Sequence, residues 1–250
     1  MNRPSVFRLI PISAAIYCAA LAATAAVPSS TAAIQGGDLA RRLCEIRPDH
    51  DVTNVAVLQI QPLNHGEVSI PLICEAVVTL TNWSNVYIAG AAAPTNSSFT
   101  ILTITHSDAG ANRYSTVFNN SSHAFSTADP ETPLAGSDFS AADLGLEFCH
   151  WPDQTVLRKE FARGRGCLVL QSVNPRTPAR GYSRVVSWID EKTLGIVEAR
   201  AYDRQGRLLK IFEPKSFKKI KGQWELQDME MRNVQTHSRT WIKFKLKQVP

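Results

Sequence analysis

GIVEARAYDRQGRLLKIFEP, residues 195–214, is the stretch from which the fold can be read. Two apolar runs of strand length, Gly195 to Asp203 and Arg207 to Pro214, flank the polar tetrapeptide DRQG, and a connector that short between two such runs marks a β-hairpin. The texture continues on both sides. Cys167 to Val173, Tyr182 to Asp190, Trp224 to Asn233 and Thr240 to Lys247 are further runs, joined at Asp190 to Leu194, Lys221 to Gln223 and Thr236 to Ser238. Short connectors force consecutive strands to run antiparallel, so this half of the chain is predicted to be a meander. In the last run Trp241, Lys243 and Lys245 alternate with Ile242, Phe244 and Leu246, which gives one wet and one greasy face. Tyr182 to Asp190 is apolar on both sides, with Tyr182, Val186 and Trp188 opposite Val185 and Ile189. Such a strand needs two coverings; helices supply one, and an apolar ligand is a candidate for the other.

Upstream, Val52 to Gln61, Val68 to Thr81, Val86 to Ala89, Phe99 to His106 and Tyr114 to Phe118 are also Val-, Ile- and Thr-rich runs separated by turn residues. Asn119 to Pro133 reads as a long surface loop. Helical spacing occurs in two places. QGGDLARRLCEI, residues 35–46, sets Leu39, Leu43 and Ile46 on one face with Asp38 as a cap. Between Gly136 and Ala162, SAAD from Ser140 resembles a capping box, with Leu144, Leu146, Phe148 and Trp151 after it. DQTVLRKEFA then groups Val156, Leu157, Glu160 and Phe161 as a second short helix.

The first residues carry Arg3 and Arg8 ahead of an apolar stretch ending in small residues, the layout of a secretory signal peptide over 1–33, cleaved after Ala26 or Ala33. An uncleaved anchor is the alternative, and acylation at Cys18 is disfavoured by bulky Tyr17. Residues 34–250 then form one domain. Export permits disulfides among Cys44, Cys74, Cys149 and Cys167; Cys149 with Cys167 is the expected pair because both border the helical segment, and burial as small apolar side chains is the alternative. Charge is uneven: residues 1–150 carry net −6 and residues 151–250 net +11, together the chain's +5. For an exported protein, anionic lipid head groups suit the basic half better than nucleic acid, and KSFKKIKG at Lys215 to Gly222 reads as a solvated hairpin that could attract them.

Five stretches together carry a resemblance. They are GSDFSAADLGLEFCHWPDQTVLRKE (136–160), RGRGCLVLQSVNP (163–175), YSRVVSWID (182–190), the hairpin quoted above, and GQWELQDMEMRN (222–233) with SRTWIKF (238–244). The chain resembles the outer-membrane lipoprotein-sorting proteins, themselves similar to the periplasmic lipoprotein carrier of the Lol system and to a spirochaetal lipoprotein domain. The likeness spans about Val68 to Leu246 and is most specific at GSDF, at WID (188–190) and at YDxxGxLLK (202–210). It implies an α+β fold, mostly antiparallel β: an unclosed half β-barrel whose open side is partly covered by a short helical lid. The lid would be Gly136 to Ala162, with the helix near Leu39 beside it, and lipoprotein acyl chains would shelter beneath.

The lid and cavity residues expected to meet a ligand are Leu144, Leu146, Phe148, Trp151, Leu157 and Phe161, with Trp83, Trp188 and Trp224 as walls, since Trp joins apolar area to a polar donor. No GxSxG, HExxH, Walker loop or CxxC is present, so no catalytic residue, metal or cofactor is assigned. Cys149 beside His150 is poor geometry for a dyad, because adjacent side chains diverge. GRG at 164–166 precedes a strand and reads as a turn. Asp138 and Asp143 are read as helix caps. The expected function is a periplasmic, non-catalytic carrier or binder of lipid or lipoprotein acyl chains, with a membrane-bound donor or acceptor as partner. An envelope sensor on the same fold is the alternative, and a lipid hydrolase the third reading.

Overall fold

The computed structural model describes residues 30–90, 99–107, 110–118, 126–176, 181–220 and 223–246. The expected signal peptide and Cys18 lie outside the described residues except for Ser30 to Ala33, which open helix α1 (Ser30–Cys44). Asp38 is therefore mid-helix, paired with Arg41 at 3.4 Å, and does not cap it. Leu39, Ala40 and Leu43 are the buried stripe.

All strands join one antiparallel sheet. The first half contains β1 (Val52–Gln61), β2 (Val68–Val78), β3 (Asn82–Ala89), β4 (Thr100–Ser107), β5 (Gly110–Phe118) and β6 (Ser126–Thr127). The second contains β7 (Asp153–Ala162), β8 (Arg165–Val173), β9 (Arg184–Asp190), β10 (Ile196–Tyr202), β11 (Leu208–Ile220), β12 (Gln223–Asn233) and β13 (Ser238–Phe244). The spatial order is β6-β5-β4-β3-β2-β1-β13-β12-β11-β10-β9-β8-β7. The sheet is open: two meanders meet at the pairing of β1 with β13, where Leu58 faces Ile242 and Ile60 faces Thr240. Strands β6 and β7, successive in sequence, form opposite edges. The segment that joins them, residues 128–152, contains α2 (Ala141–Leu144) and two 3-10 turns, Leu134–Gly136 and Glu147–His150.

Paired residues in an antiparallel ladder share a face, so the register shows what this segment covers. A row runs Ala199↔Phe212↔Met231↔Thr240↔Ile60 across five strands, and Ala201 faces Lys210 and Val185 in the next row. On this inner face, Leu58, Leu72, Leu102, Ile104 and Ile242 pack with Leu134, Phe139 and Ala141 of the connecting segment. Nearer β7, Leu170, Val185 and Ile189 pack with Leu39 and Leu43 of α1 and with Phe148.

The stretch DQTVLRKEFA is a strand, β7, and not the second helix of the lid. Its apolar residues mimic helical spacing because a bulge between Val156 and Arg158 breaks the period of two. Arg163 and Gly164, with φ of 49° and 77°, form the two-residue turn into β8; of the GRG read as a turn only Gly164 lies in it, and Arg165 and Gly166 already pair in β8. The lysine-rich stretch from Lys215 lies in a hairpin, as read from sequence: β11 runs to Ile220 and pairs with β12, with Lys218 facing Glu225 and Lys219 facing Trp224. The second covering of β9 is protein. Val169, Val186, Trp188 and Val197 form a small cluster on the outer face, with the Arg200 guanidinium 4.8 Å from the centre of the Trp188 ring.

Candidate functional site

The inner face is filled under both ends of the connecting segment and not between them. A cavity of about 220 Å³ lies where the two packed groups fail to meet. Its roof is Phe139, Leu144, Leu146 and Phe148; its floor includes Ala199, Ala201, Phe212, Met229 and Met231, with Tyr87, Tyr182, Val185 and Ile196 at the sides. The void follows from sequence: β10 presents alanines inward at 199 and 201, beside bulkier Phe212 and Met231. Leu144, Leu146, Ile196 and Phe212 also face a second space of about 390 Å³ toward α1, bounded by Leu43, Trp83, His106, Phe217 and Leu226 among others. Together they have the apolar character and size range of ligand pockets.

Polar contacts fasten the roof. Ser140 caps α2: the Asp143 N–H donates to its Oγ at 3.2 Å, and Asp143 Oδ2 accepts from the Ser140 N–H at 2.8 Å, completing the capping box. Asp143 also accepts from Lys210 Nζ at 3.1 Å and from Tyr182 Oη at 2.6 Å, so one carboxylate holds α2 to β11 and to the segment that leads into β9. Burial, then the Asp143 charge, pushes the Tyr182 phenol well above its usual range, which keeps it a donor. Asp138 is no cap. It accepts from Ser238 Oγ at 2.6 Å and Thr240 Oγ1 at 2.9 Å and so latches the roof to β13. On the far side, Tyr114 Oη donates to Glu147 at 2.6 Å and Asn112 Nδ2 donates to the Gly145 carbonyl at 2.6 Å. Gln154 Nε2 donates to the carbonyls of Phe148 and Trp151, each at 2.8 Å, closing the last turn.

Of the residues singled out from sequence, Leu144, Leu146 and Phe148 line the cavity. Trp151 packs beside α1 instead, and Trp83 borders the second space and not the cavity, stacked on His106 at 3.9 Å. Leu157 and Phe161, 43% and 84% exposed, lie on the edge strand and not in a roof, as the strand assignment of β7 requires. Trp188 sits on the outer face with its N–H on Glu160, and Trp224 is 70% exposed; neither is a wall. Cys149 and Cys167 are free and pack on opposite faces of the sheet, so the expected disulfide is absent. Cys149 instead belongs to the buried cluster against which Cys44 of α1 packs. His150 turns from its sequence neighbour to the same thiol, with Nδ1 3.8 Å from Cys44 Sγ. Reading by motif missed Phe139, Tyr182, Lys210 and the Met229/Met231 pair; for Lys210, Met229 and Met231 the inward alternation of β11 and β12 carried that signal. WID and YDxxG prove to be turn-forming. Asp190 accepts from the Lys192 N–H at 2.8 Å, and Asp203 Oδ1 accepts from the N–H groups of Gln205 and Arg207 at 2.9 Å each. Burial raises the Asp203 pKa, but hydrogen bonds from the Gln235 side chain, from the N–H and guanidinium of Arg207 and from the Gln205 N–H outweigh it and lower the pKa to about 2.

An open antiparallel sheet with a connecting segment folded across one face defines a class. A crystal structure of a LolA superfamily protein from Nitrosomonas europaea shares this fold, with TM-score 0.60 at 17% identity over 86% of this chain and 94% of that one. A putative outer membrane lipoprotein-sorting protein domain from Vibrio parahaemolyticus superposes with TM-score 0.69 at 18% identity, covering 86% and 92%. A DUF1329 family protein from Desulfovibrio piger gives 0.70 at 20% identity, covering 86% and 91%. The fold is thus that of the LolA-like and lipoprotein-sorting proteins, as the sequence resemblance implied. Within that class the chain belongs to the family whose model, described as "Uncharacterized protein", matches residues 100–249. No curated protein matches the chain.

Proposed function

We propose that this chain is an exported, non-catalytic binder or carrier of lipid or lipoprotein acyl chains in the periplasm, and that an acyl chain lies in the cavity beneath residues 128–152. The observation that carries the proposal is a void of about 220 Å³ that apolar side chains surround and do not fill. Each methylene moved from water into such a space contributes about 0.8 kcal/mol, so hydrocarbon is held without covalent chemistry. The roof is attached through side-chain hydrogen bonds at Asp138 and Asp143, which can open while the sheet ladder stays intact. The Lys210 to Asp143 pair at one wall offers a polar end for a head group, and the apolar remainder takes the chain. Direction of transfer then depends on the affinity of a membrane-bound donor or acceptor for the same cargo. The printed name of the Vibrio protein, a putative outer membrane lipoprotein-sorting protein domain, supports the reading.

A second reading, an envelope interaction module, draws on the exposure of Trp224 and Phe217, 70% and 48%, beside the β11 lysines. Native mass spectrometry of protein purified from its own envelope separates the two. Co-purified phospholipid or acylated peptide, released by organic solvent, is the expected result. A lipid-free protein that also fails to bind added fatty acid would overturn the proposal.

A further inference from the structure

Cys44 ends α1 and Cys149 lies in the 3-10 turn of the roof, 105 positions apart in sequence, yet the two pack in one buried cluster and line the same space. His150 brings Nδ1 within 3.8 Å of Cys44 Sγ. All three face the second space beneath the roof, so a small reagent has a route to Cys44, which is half-buried, while Cys149 is buried. Cys74 and Cys167, the other described cysteines, have neither thiol nor imidazole partner, and burial raises the pKa of each. The neighbouring Cys149 thiol, then His150, lowers the Cys44 pKa, while the contact with Cys44 raises that of His150. The attacking species in thiol–disulfide exchange is the thiolate, and a neighbouring imidazolium stabilises it.

We propose that Cys44 and Cys149 are a redox-active dithiol that exchanges with a low-molecular-weight disulfide and, once oxidised, ties helix α1 to the roof of the cavity. The Cys44 thiolate attacks one sulfur of the reagent's S–S bond; a mixed disulfide forms, and the departing thiolate takes the proton of His150. Neutral His150 then accepts the proton of Cys149, whose sulfur attacks Cys44 Sγ and expels the second reagent thiolate, which is protonated in turn. The two cysteines lose two electrons and two protons, and the reagent's disulfide is reduced to two thiols. The product joins an element resting on β7 to the turn that carries Phe148, so roof and α1 move together. The assignment concerns the thiols alone and stands whether or not the cavity holds lipid.

The test uses the reduced full-length chain exposed to glutathione disulfide, quenched by alkylation and mapped without reduction. The expected product is a peptide pair joined through Cys44 and Cys149 with no glutathione retained. Glutathione persisting on Cys44, or faster reaction at Cys74 or Cys167, would overturn the assignment, and neither outcome needs a variant that folds. Cys149→Ser should stop the reaction at a Cys44–glutathione adduct, and His150→Gln should slow adduct formation by about tenfold. An unchanged rate removes His150 from the assignment. Amide exchange across 146–151 should slow in the oxidised protein; equal exchange in both forms rules out the tie between α1 and the roof.

Discussion

Ala199→Leu turns the cavity into a measurable free energy. Ala199 is buried in the cavity floor, paired with Phe212 on β11, and the substitution adds three carbon atoms pointing into the void. At about 0.8 kcal/mol per buried methylene the gain is about 2.4 kcal/mol, of which leucine rotamer entropy removes about 0.5–1. The ligand-free variant should therefore be about 1.5 kcal/mol more stable than the parent in urea unfolding, with unchanged m-value. The same carbon atoms occupy space a ligand needs, so affinity for the fluorescent apolar probe anilinonaphthalene sulfonate should fall by about tenfold or more. In a filled interior the extra volume would instead cost about 1–3 kcal/mol. Destabilisation together with undiminished probe binding would refute the reasoning, because it would mean that the space does not exist and the probe sits elsewhere.

Asp143→Ala removes the capping box and strands the Lys210 ammonium, whose side chain is 13% exposed; breaking such a pair costs about 3–5 kcal/mol. Chemical denaturation should show at least about 3 kcal/mol lost, with Lys210→Met restoring part of it, and a loss under about 1 kcal/mol would contradict the latch. Burial, then the Asp143 charge, raises the Glu131 carboxyl from 4.5 to about 7. Its folded form thus binds the proton more tightly than the unfolded chain does, and that contribution to stability is present below pH 4.5 and lost as pH rises through 7. Glu131→Gln should overtake the parent across this window by at most about 3 kcal/mol in pH-resolved thermal melts, and a pH-independent difference would refute the assignment. Gly36→Ala gains about 1 kcal/mol of helix propensity, yet its Cβ would lie 2.5 Å from the Gln154 carbonyl carbon and oxygen of β7. A net loss of about 2 kcal/mol is expected from unfolding titrations, and a more stable variant would show that α1 and β7 are not in contact.

The meander around residues 195–214 was legible because its signals are local: DRQG supplies both Asp203, which bonds the turn N–H groups, and Gly206, with φ 75°. Strand β7 was misread because its bulge is set by pairing with β8, and no window of DQTVLRKEFA contains that partner. The tryptophans were misassigned for a related reason. Size and polarity recommend Trp as a wall, but parity along the strand decides the face: Trp188 sits at an outward position beside inward Ile189. The roof is half legible. Its capping box is written in SAAD, whereas Asp138 finds Ser238 and Thr240 about a hundred positions away, and Cys44 meets His150 across a similar distance.

The pairing of β1 with β13 orders events during synthesis. The ribosome releases β1 to β6 well before the last strand, so the first meander can assemble while one rim of β1, including Val57 and Gln59, has no ladder partner. Such a rim is a template for another chain, and it stays open until almost the entire polypeptide has emerged. Sequence separation between Val57 and Lys243 also makes that last docking step slow relative to hairpin formation within each half. A nascent chain of this topology therefore has greatest need of a holding chaperone late, when the first meander is built and its seam partner is still to come.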